Sequence, residues 1–294
     1  DRFGLQSNIC YDASLYKNRY LITPNNLGFS VIDDQTKSIN NFLLPVENES
    51  YPFRTFIADD DIYMLNKNSI SVLNTAFPKT NPYKKVIVFP NRINTLTTDH
   101  NKNILVAGYS GIWQVNNNKP TLIINEPDVR TVMVDDSNVI WIGRYDNGIV
   151  GYQLFYNSKN ITAKKLGTWK TSYNQDHSRI LLKGNNNTIW YGTRFSGLYH
   201  LKFKDSLVLL KHFDAQNGLS SDFVQSLCLL PNGKLLAGTA DGLDMIDVSN
   251  NYAVTTAIHK KFNFSSKINQ IKISENNLLW MATDDGIINL QIDQ

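Results

Sequence analysis

The chain has few of the residues that announce chemistry. Two cysteines among 294 residues, Cys10 and Cys228, show no metal-ligand spacing. No apolar run approaches the roughly 20 residues needed to span a bilayer, so this segment is not expected to insert in a membrane. Asp1 begins the chain without a basic-then-apolar leader, which reads as a processed protein or as a piece of a larger one. A net charge of +3 is spread thinly. The pairs Lys84-Lys85, Lys164-Lys165 and Lys260-Lys261 read as solvated faces, and nucleic acid is not an expected partner. The motifs of zinc proteases, phosphate-binding loops, nucleophile elbows and calcium loops are all missing. Five histidines, His100, His177, His200, His212 and His259, fall at unrelated positions, which predicts surface or outer-strand placement, no metal site and no cofactor. The acidic pair Asp284-Asp285 reads as turn chemistry.

What is present is a core and a period. The composition, 42% hydrophobic and 11% aromatic with 19% charged, excludes a disordered chain. The stretch "NGLSSDFVQSLCLLPNGKLLAGTADGLDMID" (217–247) contains an apolar run, a small residue, a short polar turn, a glycine and a second apolar run. Seven segments share that grammar, with turn anchors at Gly28, Ser69, Gly111, Gly148, Gly197, Gly242 and Gly286. Successive anchors are 41, 42, 37, 49, 45 and 44 residues apart, close to the period of a four-stranded propeller blade. The reading is therefore all-β, a single seven-bladed propeller with blades at 4–45, 46–90, 91–127, 128–172, 173–214, 215–262 and 263–294.

Glycine at the anchor has a steric reason, because a short hairpin turn usually needs one residue at positive φ. At the exception, Ser69, the neighbouring Asn68 is expected to take that conformation. Six outer strands can be found, such as "TLIINEP" (121–127) and "LVLLKHF" (207–213). The seventh cannot, so the last blade is expected to lack its outer strand or to receive it from flanking chain. Cys10 and Cys228 fall on inner strands of non-adjacent blades, which argues against a disulfide and for two small buried hydrophobes. Trp141, Trp190 and Trp280 share one register position and are expected between blades. Trp113 and Trp169 are off that register and are candidate contact residues.

The stretches "NGLSSDFVQSLCLLPNGKLLAGTADGLDMID", "NTIWYGTRFSGLYHLK" and "NVIWIGRYDNGIVGY" resemble the two-component regulator propeller repeat. The resemblance covers most of the chain and is poorest in the second blade, which has no Trp-x-Gly and no anchor glycine. It implies a periplasmic sensor region of a Bacteroides-type hybrid two-component receptor. Its implied partners are a neighbouring propeller, an immunoglobulin-like domain and an oligosaccharide breakdown product, with an acidic sugar and a homodimer both left open.

Turn length suggests where a ligand meets the propeller. Blades four and five have the longest turns between the second and third strands, and these carry Arg144-Tyr145 and Arg194-Phe195. An arginine beside an aromatic ring suits an acidic sugar: the ring covers an apolar face and the guanidinium forks onto an oxyanion. Arg130, Arg179 and His177 precede the inner strands of the same blades, and Tyr109, Asn25 and Asn26 are expected further round the rim. The alternative is that these side chains pack between blades or dock other domains. Three functions stay open: a non-enzymatic oligosaccharide sensor, a structural or dimerisation propeller, and a propeller lyase. The last requires a convergent cluster that the scattered histidines do not suggest.

Overall fold

The computed structural model describes residues 4–5, 7, 9–25, 28–43, 52–73, 83–146, 148–157, 160–173, 175–255 and 266–292. Their secondary structure is almost wholly β, with one 3-10 turn at Ala215–Asn217. Seven antiparallel meanders occupy 14–43, 54–88, 93–124, 129–169, 178–213, 224–255 and 268–291. This is the seven-bladed β-propeller that the period predicts. Six sheets have four strands and the seventh has three among the described residues, Ile268–Ile273, Leu278–Thr283 and Gly286–Gln291. The expected shortfall in the last blade is therefore observed. No helix among the described residues is long and apolar enough to cross a membrane.

The chain divides into two compact units. The first comprises Asp1–Ile93 with Ser266–Gln294, and the second Asn94–Ser265. In the second unit, blades four and five bury Met133, Val139, Trp141 and Ile149 against Leu181, Ile189, Tyr191 and Tyr199. Blades five and six repeat the arrangement with Trp190, Leu198 and Phe213 against Val224, Leu227 and Leu235. In the first unit, Trp280 and Ala282 pack on Cys10, Ala13 and Leu21. Burying one such side chain contributes on the order of 2 kcal/mol, so these faces hold the sheets together. The three register-locked tryptophans are buried as expected. Trp169 also packs inward, edge-on to Tyr191 and Tyr199 at 6.2 and 5.2 Å.

All six anchor glycines have positive φ. The structure adds a second reason for them. At Gly111 an added Cβ would lie 1.9 Å from the carbonyl oxygen of Ile124, so the outer strand closes against a position that only glycine can fill. The Ser69 turn works differently from expectation: Asn68 is not at positive φ. Asn66 holds the turn instead, its backbone N–H donating to Ser69 O at 2.8 Å and its side-chain amide donating to Ser71 Oγ at 3.1 Å. Both cysteines are free thiols, Cys10 buried and Cys228 only half-buried. His200 departs from the expected surface placement, being buried on the third strand of blade five. His259 and Asn26 lie outside the described residues.

One feature of the inner strands escaped the pattern reading. In blades four to seven the pairing of the first two strands skips one residue, at Arg130, Arg179, Gln225 and Asn269. Each is the extra residue of a β-bulge, which leaves it out of the ladder and re-aims its side chain.

Candidate functional site

The site residues of the second unit come from two kinds of position, the bulge at the start of an inner strand and the long turn between the second and third strands. Arg130 and Arg179 are bulge residues. Tyr145, Arg194 and Phe195 belong to the turns, and His177 directly precedes the inner strand of blade five. The fold brings these six together with Tyr109 in one arc.

The arc alternates rings and guanidinium groups. Arg130 lies over Tyr109 at 5.5 Å and over Tyr145 at 4.4 Å. Tyr145 stacks on His177 with centroids 3.8 Å apart, and His177 meets Phe195 edge-on at 5.3 Å. Arg194 lies over Phe195 at 5.1 Å and over Phe223 at 5.7 Å, and Arg179 covers Phe223 at 4.9 Å. Each cation–π contact orients a guanidinium without neutralising it. Two groups so close to the Tyr145 centroid take opposite faces, so Tyr145 is a spacer inside the stack. Tyr145 keeps its edge exposed, and Tyr109, Tyr173 and Phe195 join it as exposed rings of the arc.

Electrostatics follow from the geometry. Burial pulls the pKa of His177 below its ordinary value, and Arg179, Arg194 and Arg130 add to that, with Asp176 opposing them. The imidazole is therefore neutral at pH 7. The buried Asp176 carboxylate is committed to the turn, accepting from the Phe195 backbone N–H at 3.0 Å and from the Ser196 hydroxyl. Arg130 Nε is buried with no hydrogen-bond partner among the described residues, and Gln225 Oε1 at the equivalent bulge shares that condition. Such groups normally find partners, in protein, water or ligand.

Arg144 does not join the arc. Its Nη1 donates to Glu126 Oε1 at 3.1 Å, and its Nε lies 3.4 Å from Asp146. Glu126 also accepts from Tyr152 Oη at 2.6 Å and has Lys165 at 3.5 Å. Burial alone would raise the Glu126 pKa, but Tyr152, Lys165 and Arg144 together hold it below the ordinary range. Asn25, expected on the rim, is the buried last residue of the strand Tyr20–Asn25, with its amide 3.3 Å from Ser30 Oγ.

Four members of this region were not legible from motif spacing: Asp176, Tyr173, Phe223 and Gln225. Only Gln225 had a usable signal, since aligning the inner strands puts it in register with Arg179. Among the described residues, no group of three or more His, Cys, Asp or Glu side chains converges to hold a metal ion.

No protein-family profile and no curated protein matches the chain. Solved structures do share its fold. An extracellular domain of BT4673 from B. thetaiotaomicron, described both as a one component and as a hybrid two component system, is similar with TM-scores of 0.74 and 0.75. The identity is 20% over 99% of this chain. This chain spans 39% of that domain's length. A streptogramin B lyase is similar with a TM-score of 0.76 at 12% identity, over 99% of this chain and 95% of the lyase. At these identities the likeness is one of fold.

Proposed function

We propose that this chain is the ligand-binding propeller of an extracytoplasmic sensor and that the arc of the second unit recognises acidic oligosaccharides. The observation that carries this reading is Arg130, a half-buried side chain whose guanidinium is held between two tyrosine rings. Ring contacts orient the guanidinium without taking its charge, which leaves its accessible N–H groups to meet an oxyanion through charge-assisted hydrogen bonds. Arg179 and Arg194 extend the cationic surface, and the exposed rings of Tyr109, Tyr173 and Phe195 supply the flat apolar faces on which pyranose rings rest.

The sensor role draws support from the description of the BT4673 domain as extracellular and part of a signalling system. A neighbouring propeller, an immunoglobulin-like domain and a periplasmic location belong to the same proposal. The propeller acts by binding, not by chemistry, and shifts a receptor through its differential affinity for two states.

Isothermal titration with trigalacturonate and with neutral maltotriose tests the reading. The acidic trimer is expected to bind, more weakly at high salt, and Arg130→Met or Arg194→Met to lose about tenfold or more in affinity. Equal binding of the neutral trimer, or native affinity in both variants, would overturn it.

A further inference from the structure

The opposite end of blades five and six, where the first two strands and the last two strands turn, holds a cavity of about 410 Å³. Its origin lies in a comparison internal to the repeat. Trp141 of blade four and Trp190 of blade five hold the same register position. The space around Trp141 is filled: its Nε1 donates to Asp135 Oδ2 at 2.7 Å, and Phe203 of the next blade meets its ring edge-on at 5.0 Å. Around Trp190 both partners are gone. The residue in register with Asp135 is Gly184, and the one in register with Phe203 is Val248.

A third replacement changes the chemistry. Gly151 pairs with Trp141, whereas His200 pairs with Trp190 and stacks on it at 3.8 Å with the rings within 3° of parallel. Nδ1 of His200 is 3.0 Å from Tyr252 Oη, so that side of the imidazole is occupied. Burial lowers the His200 pKa to about 4, which keeps the ring neutral at physiological pH. Lys202 is then the charged residue of the lining among the described residues, and Trp190 lines the same cavity with its indole N–H as a donor. Leu210, Leu229 and Val248 provide apolar wall, and the volume suits a small molecule.

We propose that this cavity binds a small, singly charged carboxylic acid with an apolar ring, its carboxylate met by Lys202 and Trp190 Nε1 and its ring by Leu229 and Val248. The site is distinct from the guanidinium arc, at the other end of the same strands.

Phenylacetate and its neutral amide, phenylacetamide, serve as probes in saturation-transfer NMR with the whole chain. Phenylacetate is expected to bind more tightly than the amide. Val248→Phe rebuilds the filling seen beside Trp141, and is expected to weaken both probes by about tenfold or more while the melting temperature is kept or raised. Lys202→Met is expected to weaken phenylacetate about tenfold and leave the amide unchanged. Arg130→Met should leave both probes unaffected. No binding of phenylacetate, binding that survives Val248→Phe, equal affinity for acid and amide, or loss in Arg130→Met would each overturn the proposal.

Discussion

The two units use the start of the inner strand in opposite ways. In the first unit Asp12 and the bulge residue Asn269 are closed by neighbouring groups. Asp12 accepts from the Thr55 backbone N–H at 2.6 Å, from Thr55 Oγ1 at 3.1 Å and from Gln270 Nε2 at 3.0 Å. The bulge residue Asn269 donates to Cys10 O at 3.0 Å and to Asp284 Oδ1 at 2.7 Å. In the second unit the equivalent bulges carry Arg130, Arg179 and Gln225, with Arg130 Nε and Gln225 Oε1 buried and lacking acceptor or donor among the described residues. The same backbone irregularity thus serves closure in one unit and presentation of polar groups in the other. A bulge does not make a site; what fills it and what lies beside it decide.

This contrast can be broken from the closed side. Asp12→Ala strands the Thr55 N–H and the Gln270 amide, and should cost about 3 kcal/mol or more in urea unfolding. Asp12→Asn should cost much less. Burial raises the Asp12 pKa despite Arg54 and Lys272, so the folded state favours the protonated acid. Its contribution is fullest below the unfolded carboxylate pKa and declines as pH rises through the folded one. The asparagine variant should lose that slope.

Glu126 has the opposite sign. Its pKa is lowered on folding, so its contribution is full above the unfolded value and is lost as pH falls through the folded one. Glu126→Gln removes the buried one of two counter-charges of Arg144, the other being the exposed Asp146, and about 2 kcal/mol of destabilisation at pH 7 is expected, shrinking on acidification. Unchanged stability at pH 7 would mean that Arg144 is solvated elsewhere.

On the open side the expected stability effects are small. Arg130→Met should change stability by less than about 1 kcal/mol, since it removes a buried donor that has no acceptor, while weakening the acidic trimer by about tenfold or more. The smallest effect is at His177. Its imidazole should titrate below the ordinary histidine value by NMR and move up in Arg130→Met, because one of the cations depressing it is gone.

Much of the fold was legible because its signals are backbone signals. A short hairpin turn at positive φ favours glycine, and one inter-blade position is always apolar and is tryptophan in three blades, so both are visible at the period. Side-chain direction is harder. Arg144 and Arg194 occupy equivalent turns, yet Arg144 is turned toward Glu126, eighteen residues earlier in a connecting segment with no register of its own. Tyr145 was legible as a site aromatic but not as the middle of a stack, because both groups covering it come from other positions. His200 was missed for a related reason. Isolated histidines look like surface, and only its pairing with Trp190 and Tyr252 makes it core.

The bulge has a further consequence for how such a propeller diverges. A residue that takes no part in the ladder can be exchanged without altering strand register, hairpin geometry or the packing between blades. Each bulging blade of the second unit therefore carries one address at which ligand chemistry can drift while the scaffold is inherited intact, whereas Asn269 in the first unit is tied to Cys10 and Asp284. Chains of this architecture with little overall identity can then keep one skeleton and differ in what they recognise, beginning at the positions held here by Arg130, Arg179 and Gln225.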